Sequence, residues 1–293
     1  MTRFRHDQFA KQYLEALLTP FGEVVVGKEI LGESREIDVW FVPQAVNANA
    51  AQSLGVLGQL ATTPCLLEPF RNPPTAKEIR DCQLKLYLVH ADAYREAKRS
   101  SNSISEADLT QLWVLASSIS VPTLRGFNTT PDENYGVRGI YSLGELSRVG
   151  LIAIQQLPVI PETLWLRLLG KGETQEQAII ELIALPRDDH RRLQALELLV
   201  SWRITIEMEG VLEAEERSLF MQLSPAYLEW QEKTRQEGKA EGKAEGKAEG
   251  KAEGKAEVAV NLLKSGMSIE QVVQLTGLTL EQVQQLSQRK TQS

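Results

Sequence analysis

A chain of 293 residues has room for one large or two smaller domains, and its apolar and charged fractions are those of a globular protein. Its net charge of −7 excludes a chain-wide basic footprint for nucleic acid; over residues 1–100, 12 Lys and Arg balance 12 Asp and Glu, so a polyanion would need a local basic channel. There is no charged-then-apolar leader, no apolar run near the roughly 18 residues that span a bilayer, and too few Cys and His for a disulfide framework or zinc spacing, which predicts a cytoplasmic protein with no membrane partner.

Asp7 to Leu18 reads as a helix, with Phe9, Ala10, Tyr13, Ala16 and Leu17 at helical spacing, ended by Pro20 and Gly22. Glu23 to Leu31 and Glu36 to Val42 are β-branched and aromatic, and Gly32-Glu33-Ser34 between them predicts two strands. Residues 44–63 are small and mixed, a weak helix or a long connection. Cys65 to Phe70 reads as a third strand, stopped by Arg71-Asn72-Pro73-Pro74. Thr75 and Glu78 have the spacing of a capping box and open a helix running to about Arg99. Leu112 to Ile119 and Gly150 to Leu157 read as later strands. Strands with helices before and after predict an α/β domain over residues 1–160.

Three helical segments follow, Pro161 to Leu169, Thr174 to Leu185 and Asp189 to Glu207, forming an all-helical C-terminal extension over residues 161–230. Residues 231–257 carry a repeating Glu-Gly-Lys-Ala unit. Its glycines at 238, 242, 246, 250 and 254 each cost a helix about 1 kcal/mol relative to alanine. Equal charges stand four apart and opposite charges never do, so the arm is expected to be a fraying helix or a solvated spacer. In residues 258–293, Ser268…Gln271 and Thr279…Gln282 are capping-box pairs, Gly266 and Gly277 are helix stops, and Ile269, Val272, Val273, Leu275, Leu278, Leu280, Val283 and Leu286 form an apolar set. This predicts a helix-turn-helix-like unit whose last helix is Gln-rich, basic only at Arg289 and Lys290, and suited to assembly as much as to DNA.

Two acids interrupt apolar strands: Asp38 within Arg35-Glu36-Ile37-Asp38-Val39-Trp40-Phe41, and Glu68 within Cys65-Leu66-Leu67-Glu68-Pro69-Phe70. A buried carboxylate needs a partner, and two carboxylates side by side need a cation between them. The pair is therefore a candidate site for Mg²⁺ or another hard divalent cation. As a structural alternative, Asp38 pairs with Arg35 or Lys28, and Glu68 is a half-exposed edge residue.

In this order the parts resemble the PD-(D/E)XK nuclease superfamily, and more narrowly the Rpn group of recombination-promoting nucleases or transposases. The resemblance rests on His6-Asp7…Lys11, Arg35-Glu36-Ile37-Asp38, Leu67-Glu68-Pro69-Phe70, the Glu162–Gly170 segment, the Glu-Gly-Lys-Ala arm and Thr276-Gly277-Leu278. It implies a restriction-endonuclease-like core, a central mixed sheet flanked by helices, and Mg²⁺-dependent hydrolysis of DNA phosphodiesters linked to recombination or transposition. Asp38 and Glu68 match the metal-binding strand acids. Glu15, with Asp7 as second choice, matches the acid of the first helix, and Gln83 or Lys85 the contribution of the helix after the third strand. The usual lysine two residues after the Glu is replaced by Phe70. Arg71 points the other way if the strand stays regular, although Pro69 can distort it, and Lys85 could substitute from the helix. The rival reading is a catalytically degenerate oligomeric interaction protein that keeps the fold as scaffold and assembles through its arm and terminal helices.

Overall fold

A computed structural model describes residues 2–29, 36–44, 51–208 and 250–289, with isolated positions 239, 243, 246 and 247 of the arm; side chains are described from residue 7 and not over 203–208 or 286–289. The chain divides into two compact units, Met1–Tyr227 and Leu228–Ser293.

The first unit is a mixed α/β structure around one seven-stranded sheet. Helix α1 (Thr2–Leu18) starts a turn and a half before the sequence-predicted Asp7 and leads into the antiparallel hairpin β1 (Gly22–Glu29) and β2 (Glu36–Pro43). The predicted turn at 32–34 lies outside the described residues. Residues 51–61 resolve the ambiguous connection as a 3₁₀ turn and the short helix α2 (Val56–Leu60). Then come β3 (Cys65–Phe70), α3 (Ala76–Arg99) and β4 (Gln111–Ala116).

Strand β4 ends at Ala116, short of the predicted Ile119, because Pro122 and the Ser120 cap start the short helix α4 (Val121–Gly126). A second hairpin, β5 (Thr130–Pro131) and β6 (Ile140–Ser142), had no clear strand pattern because both strands are too short to show alternation. Strand β7 (Val149–Ala153) closes the set and passes into a 3₁₀ turn at Ile154–Gln156, shorter than the expected Gly150 to Leu157.

The strand order is β1-β2-β3-β4-β7-β6-β5. Strands β3, β4 and β7 are parallel neighbours, and the flanking pairs are antiparallel. Both faces are covered. One carries α1, α2 and the helices α5 (Leu164–Arg167), α6 (Glu173–Ala184) and α7 (His190–Met208); the other carries α3 and α4. Burial on both faces explains why β3 and β4 read as continuous apolar runs rather than alternating ones.

The helical segment after residue 160 shares a core with the sheet. The Tyr13 hydroxyl donates to the Trp165 carbonyl at 2.9 Å, and the Phe9 and Trp202 rings stack at 5.0 Å. Arg167 is fully buried there, held by both Glu181 oxygens at 2.9 and 2.6 Å, the Thr163 hydroxyl and the Ile160 carbonyl. A guanidinium can be buried this way because its planar fork finds an acceptor on each side.

In the second unit, residues 250–264 are helical, followed by α8 (Ile269–Thr276) and α9 (Leu280–Arg289). Both capping boxes form: Ser268 with Gln271, and Thr279 with Gln282. Gly277 ends α8 at φ 63°, in the left-handed region that favours glycine. Ala259, Val272 and Val283 form the core, with Ile269, Val273 and Leu278 against it. Leu275 and Leu280, expected inside, are 64% and 49% exposed, because a core this small is filled by one residue from each helix. Leu286, Arg289 and Lys290 have side chains outside the described residues.

Candidate active site

Asp38 sits where β2 stops behaving as a regular strand. Val39 and Phe41 pack on the α1 face and Trp40 toward the α3 face, yet Ile37 packs with the α3 face, so alternation breaks at Asp38. Opposite Asp38 in β1 stands Gly27, between the pairs Val26↔Val39 and Lys28↔Ile37. Gly27 has φ 65°, a conformation costly for a residue with a side chain, so β1 can kink there. On the other side, the pairs Val39↔Leu67 and Trp40↔Leu66, continued one step, set Asp38 opposite Glu68. Instead of a regular ladder bond, the Asp38 N–H donates to Glu68 Oε1 at 3.4 Å.

Each acid has a lysine. Lys85 of α3 reaches Glu68 Oε2 at 2.7 Å, and Lys11 of α1 reaches Asp38 Oδ1 at 2.7 Å while also holding Asp7 at 3.2 Å. The Cys82 thiol donates to Glu68 Oε2 at 3.8 Å. Five charged groups from α1, β2, β3 and α3 thus form a chain, Asp7–Lys11–Asp38 beside Glu68–Lys85. The Glu68 side chain is 2% exposed and that of Asp7 is 36% exposed, so the set grades from buried to open.

Burial pushes the Glu68 carboxyl up to about 8, with Asp38 adding to the rise and Lys85 opposing it. Burial alone would lower Lys85, but the Glu68 charge and hydrogen bond outweigh it and the ammonium is raised. Lys11 behaves likewise against Asp38, and burial with Asp38 raises the Asp7 carboxyl. Burial also drives the Cys82 thiol up, which makes it a poor nucleophile.

The acids open on a cavity of about 510 Å³ lined by Asp7, Asp38, Glu68, Phe70, Arg71 and Lys85, together with the N-terminal turns of α3. The capping box that starts α3 is formed: Glu78 N–H donates to the Thr75 hydroxyl at 3.2 Å, and Thr75 N–H to the Glu78 carboxylate at 2.8 Å. Residues 78, 81, 82 and 85 then fall on one helix face, the face turned to the cavity.

Of the residues singled out from sequence, Asp38, Glu68 and Lys85 come together. Two do not. Glu15 is exposed and absent from the cavity wall, since it lies about 12 Å along α1 from Asp7 at 1.5 Å per residue. Gln83 is half-buried but follows Cys82 by about 100° of helix turn and does not line the cavity. Asp7, the second choice on α1, is the acid at the site. Lys11 had no assigned role in the sequence reading; its i,i+4 spacing from Asp7 was the available signal. Arg71 lines the cavity and lies over the Trp202 ring at 5.3 Å. Among the described residues no three or more His, Cys, Asp or Glu side chains are gathered to hold a metal ion. Two strand carboxylates with an open cavity beside them do fit Mg²⁺, which commonly takes one or two protein carboxylates and completes its shell with water and substrate oxygens.

The fold and site together define a mixed α/β protein with a buried acid–lysine cluster at a cavity, followed by a small helical unit. Residues 252–288 match the family model described as Rpn/YhgA-like nuclease family, C-terminal HTH domain. That match lies on the second unit's helices and covers less than half of the chain. No curated protein and no solved structure matches the chain. Among the described residues, no helix is long and apolar enough to cross a membrane.

Proposed function

We propose that the chain is a Mg²⁺-dependent DNA endonuclease on a restriction-endonuclease-like core, of the Rpn type, serving recombination or transposition. The observation that carries this reading is the meeting of Asp38 from β2, Glu68 from β3 and Lys85 from α3 in one cavity. The order helix, hairpin, strand, helix, parallel strand, with the HTH match at the C-terminal end, supports it.

Asp38 and Glu68 would hold the cation through hard oxygens. Bound there, Mg²⁺ supplies Lewis-acid polarisation of the scissile phosphate and a bound water of lowered pKa. Lys85 holds Glu68 Oε2 at 2.7 Å and would supply a cation where charge develops on the phosphate, the part left open by Phe70. Lys11 holds the Asp38 carboxylate turned toward α1 and so sets its orientation. The helical unit would contribute DNA contact, and the arm with its terminal helices would join copies of the chain into a homo-oligomer.

The test is nicking of supercoiled plasmid with and without Mg²⁺. Wild type should nick only with Mg²⁺, and Glu68→Gln should lose at least 100-fold with its melting temperature nearly unchanged at pH 6. Equal nicking by both proteins removes this site from the chemistry. Absence of nicking by wild type would favour the degenerate scaffold, whose specific support is Phe70 and the lysine already seated on each acid. Scattering mass distinguishes the assembly claim: deletion of residues 237–293 should lower it, and an unchanged protomer number refutes assembly through the arm.

A further inference from the structure

Beside the acid cavity lies a second one of about 490 Å³ that shares Asn72 and Pro73 with it. It sits at the carboxyl ends of the three parallel strands: Asn72 follows β3, Ser117 and Ser118 follow β4, and Gln155 follows β7. In open α/β sheets this end is where ligands bind. The fourth wall is Lys171-Gly172-Glu173-Thr174, the start of the twelve-residue helix α6.

Two observations point to an anion. No side chain caps α6. Its N-cap is Gly172 at φ 58°, and the carbonyl of that residue takes the N–H groups of Gln175 and Glu176 at 3.0 Å, leaving the first-turn N–H groups of Glu173 and Thr174 as donors. Independently, Ser117 is 2% exposed, its backbone is used by Phe70 and Gln155, and its hydroxyl has no hydrogen bond among the described residues. With Ser117 on the cavity wall, that hydroxyl can donate to a ligand oxygen. Lys171 adds positive charge at the same wall, and the Ser118 and Thr174 hydroxyls add further donors. The exposed Glu173 carboxylate at the rim opposes an anion.

We infer that this second cavity binds a phosphate group, a backbone phosphate of the nucleic-acid strand flanking the one held at Asp38 and Glu68. The inference rests on the nuclease reading for the identity of the strand, while the phosphate chemistry rests on the cavity alone. The subsite would fix the strand's register over the acids without touching the reacting atoms, so Ser117, Lys171 and Thr174 are positioning residues.

The test uses the full chain and two probes, inorganic phosphate followed by titration calorimetry, and a short DNA duplex followed by fluorescence anisotropy in the Glu68→Gln background without metal. The double variant Ser117→Ala/Lys171→Ala should weaken phosphate binding at least tenfold, while Glu68→Gln alone leaves it unchanged and Glu173→Gln strengthens it two- to threefold. Added to Glu68→Gln, the double variant should lower duplex affinity and reduce the slope of log K against log salt by about one, the signature of one lost phosphate contact. Phosphate binding equal in wild type and the double variant overturns the site. Phosphate binding lost with duplex affinity and salt slope intact overturns the strand as its source and leaves free phosphate as the ligand. Failure of plasmid nicking by wild type strikes the nuclease reading separately, since neither binding measurement depends on turnover.

Discussion

The two compact units are specified by different physics. The sheet-bearing unit buries charge, Glu68 and Arg167 each within a few per cent of complete burial, and pairs each with an opposite charge. The helical unit buries no charge among its described residues; its buried side chains are Ala259, Val272, Val283 and Thr276. There, two capping boxes and two glycine stops define the helices and a three-residue core joins them. Burying a charge is costly unless its partner is in place, so the first unit depends on long-range contacts, whereas the second depends on interactions three or four residues apart.

The comparison breaks most visibly at Arg167. Arg167→Ala should cost about 3–5 kcal/mol, since it strands Glu181 and leaves a cavity in the core. Urea unfolding measures it, and a loss below about 1 kcal/mol would show that the buried pin is dispensable. Lys85→Met should cost up to about 3 kcal/mol at pH 9, where ionising the wild-type Glu68 depends on its ammonium partner, and clearly less at pH 6, where Glu68 holds a proton with or without Lys85. An equal loss at both pH values would mean that Glu68 is not the partner that matters.

The same carboxyl contributes to the pH dependence of stability. Its folded pKa, about 8, lies above the unfolded value of 4.5, so the folded state binds the proton more tightly. The resulting stability is present below about pH 4.5 and is lost as pH rises through about 8. Between pH 5.5 and 8.5 the unfolding free energy should therefore gain a downward contribution that Glu68→Gln removes. A pH profile unchanged by that substitution contradicts the assignment.

Smaller effects test the local side of the comparison. Ser268→Ala removes half a capping box and should destabilise the helical unit by about 1 kcal/mol, read as loss of ellipticity on heating. Gly250→Ala and Gly254→Ala should each stabilise the arm helix by up to about 1 kcal/mol, because an added methyl meets nothing within 4 Å at either position. A decrease would show that these glycines serve packing absent from the isolated chain.

Legibility followed the same division. The capping boxes at Thr75, Ser268 and Thr279 were readable because a cap is complete within four residues. Strand β3 was readable because a short apolar run between breakers has few alternatives, and Asp38 and Glu68 because an acid in such a run requires an explanation. Hairpin β5–β6 was not, with two and three residues per strand. Sequence does not separate Glu15 from Asp7, because position along α1 carries no information about which turn faces β2.

What the sequence by itself determined is the order of elements, the helix boundaries marked by caps, and the two strand acids in apolar surroundings, all consequences of side-chain chemistry within a few residues. What only the tertiary structure decided is their company. Gly27 at φ 65° stands opposite Asp38, α1 delivers Lys11 rather than Glu15, and α3 brings Lys85 to 2.7 Å from Glu68. Those contacts join residues 11 to 38 and 68 to 85, and at such separations it is the packing of helices on both sheet faces, not local preference, that sets which charge meets which.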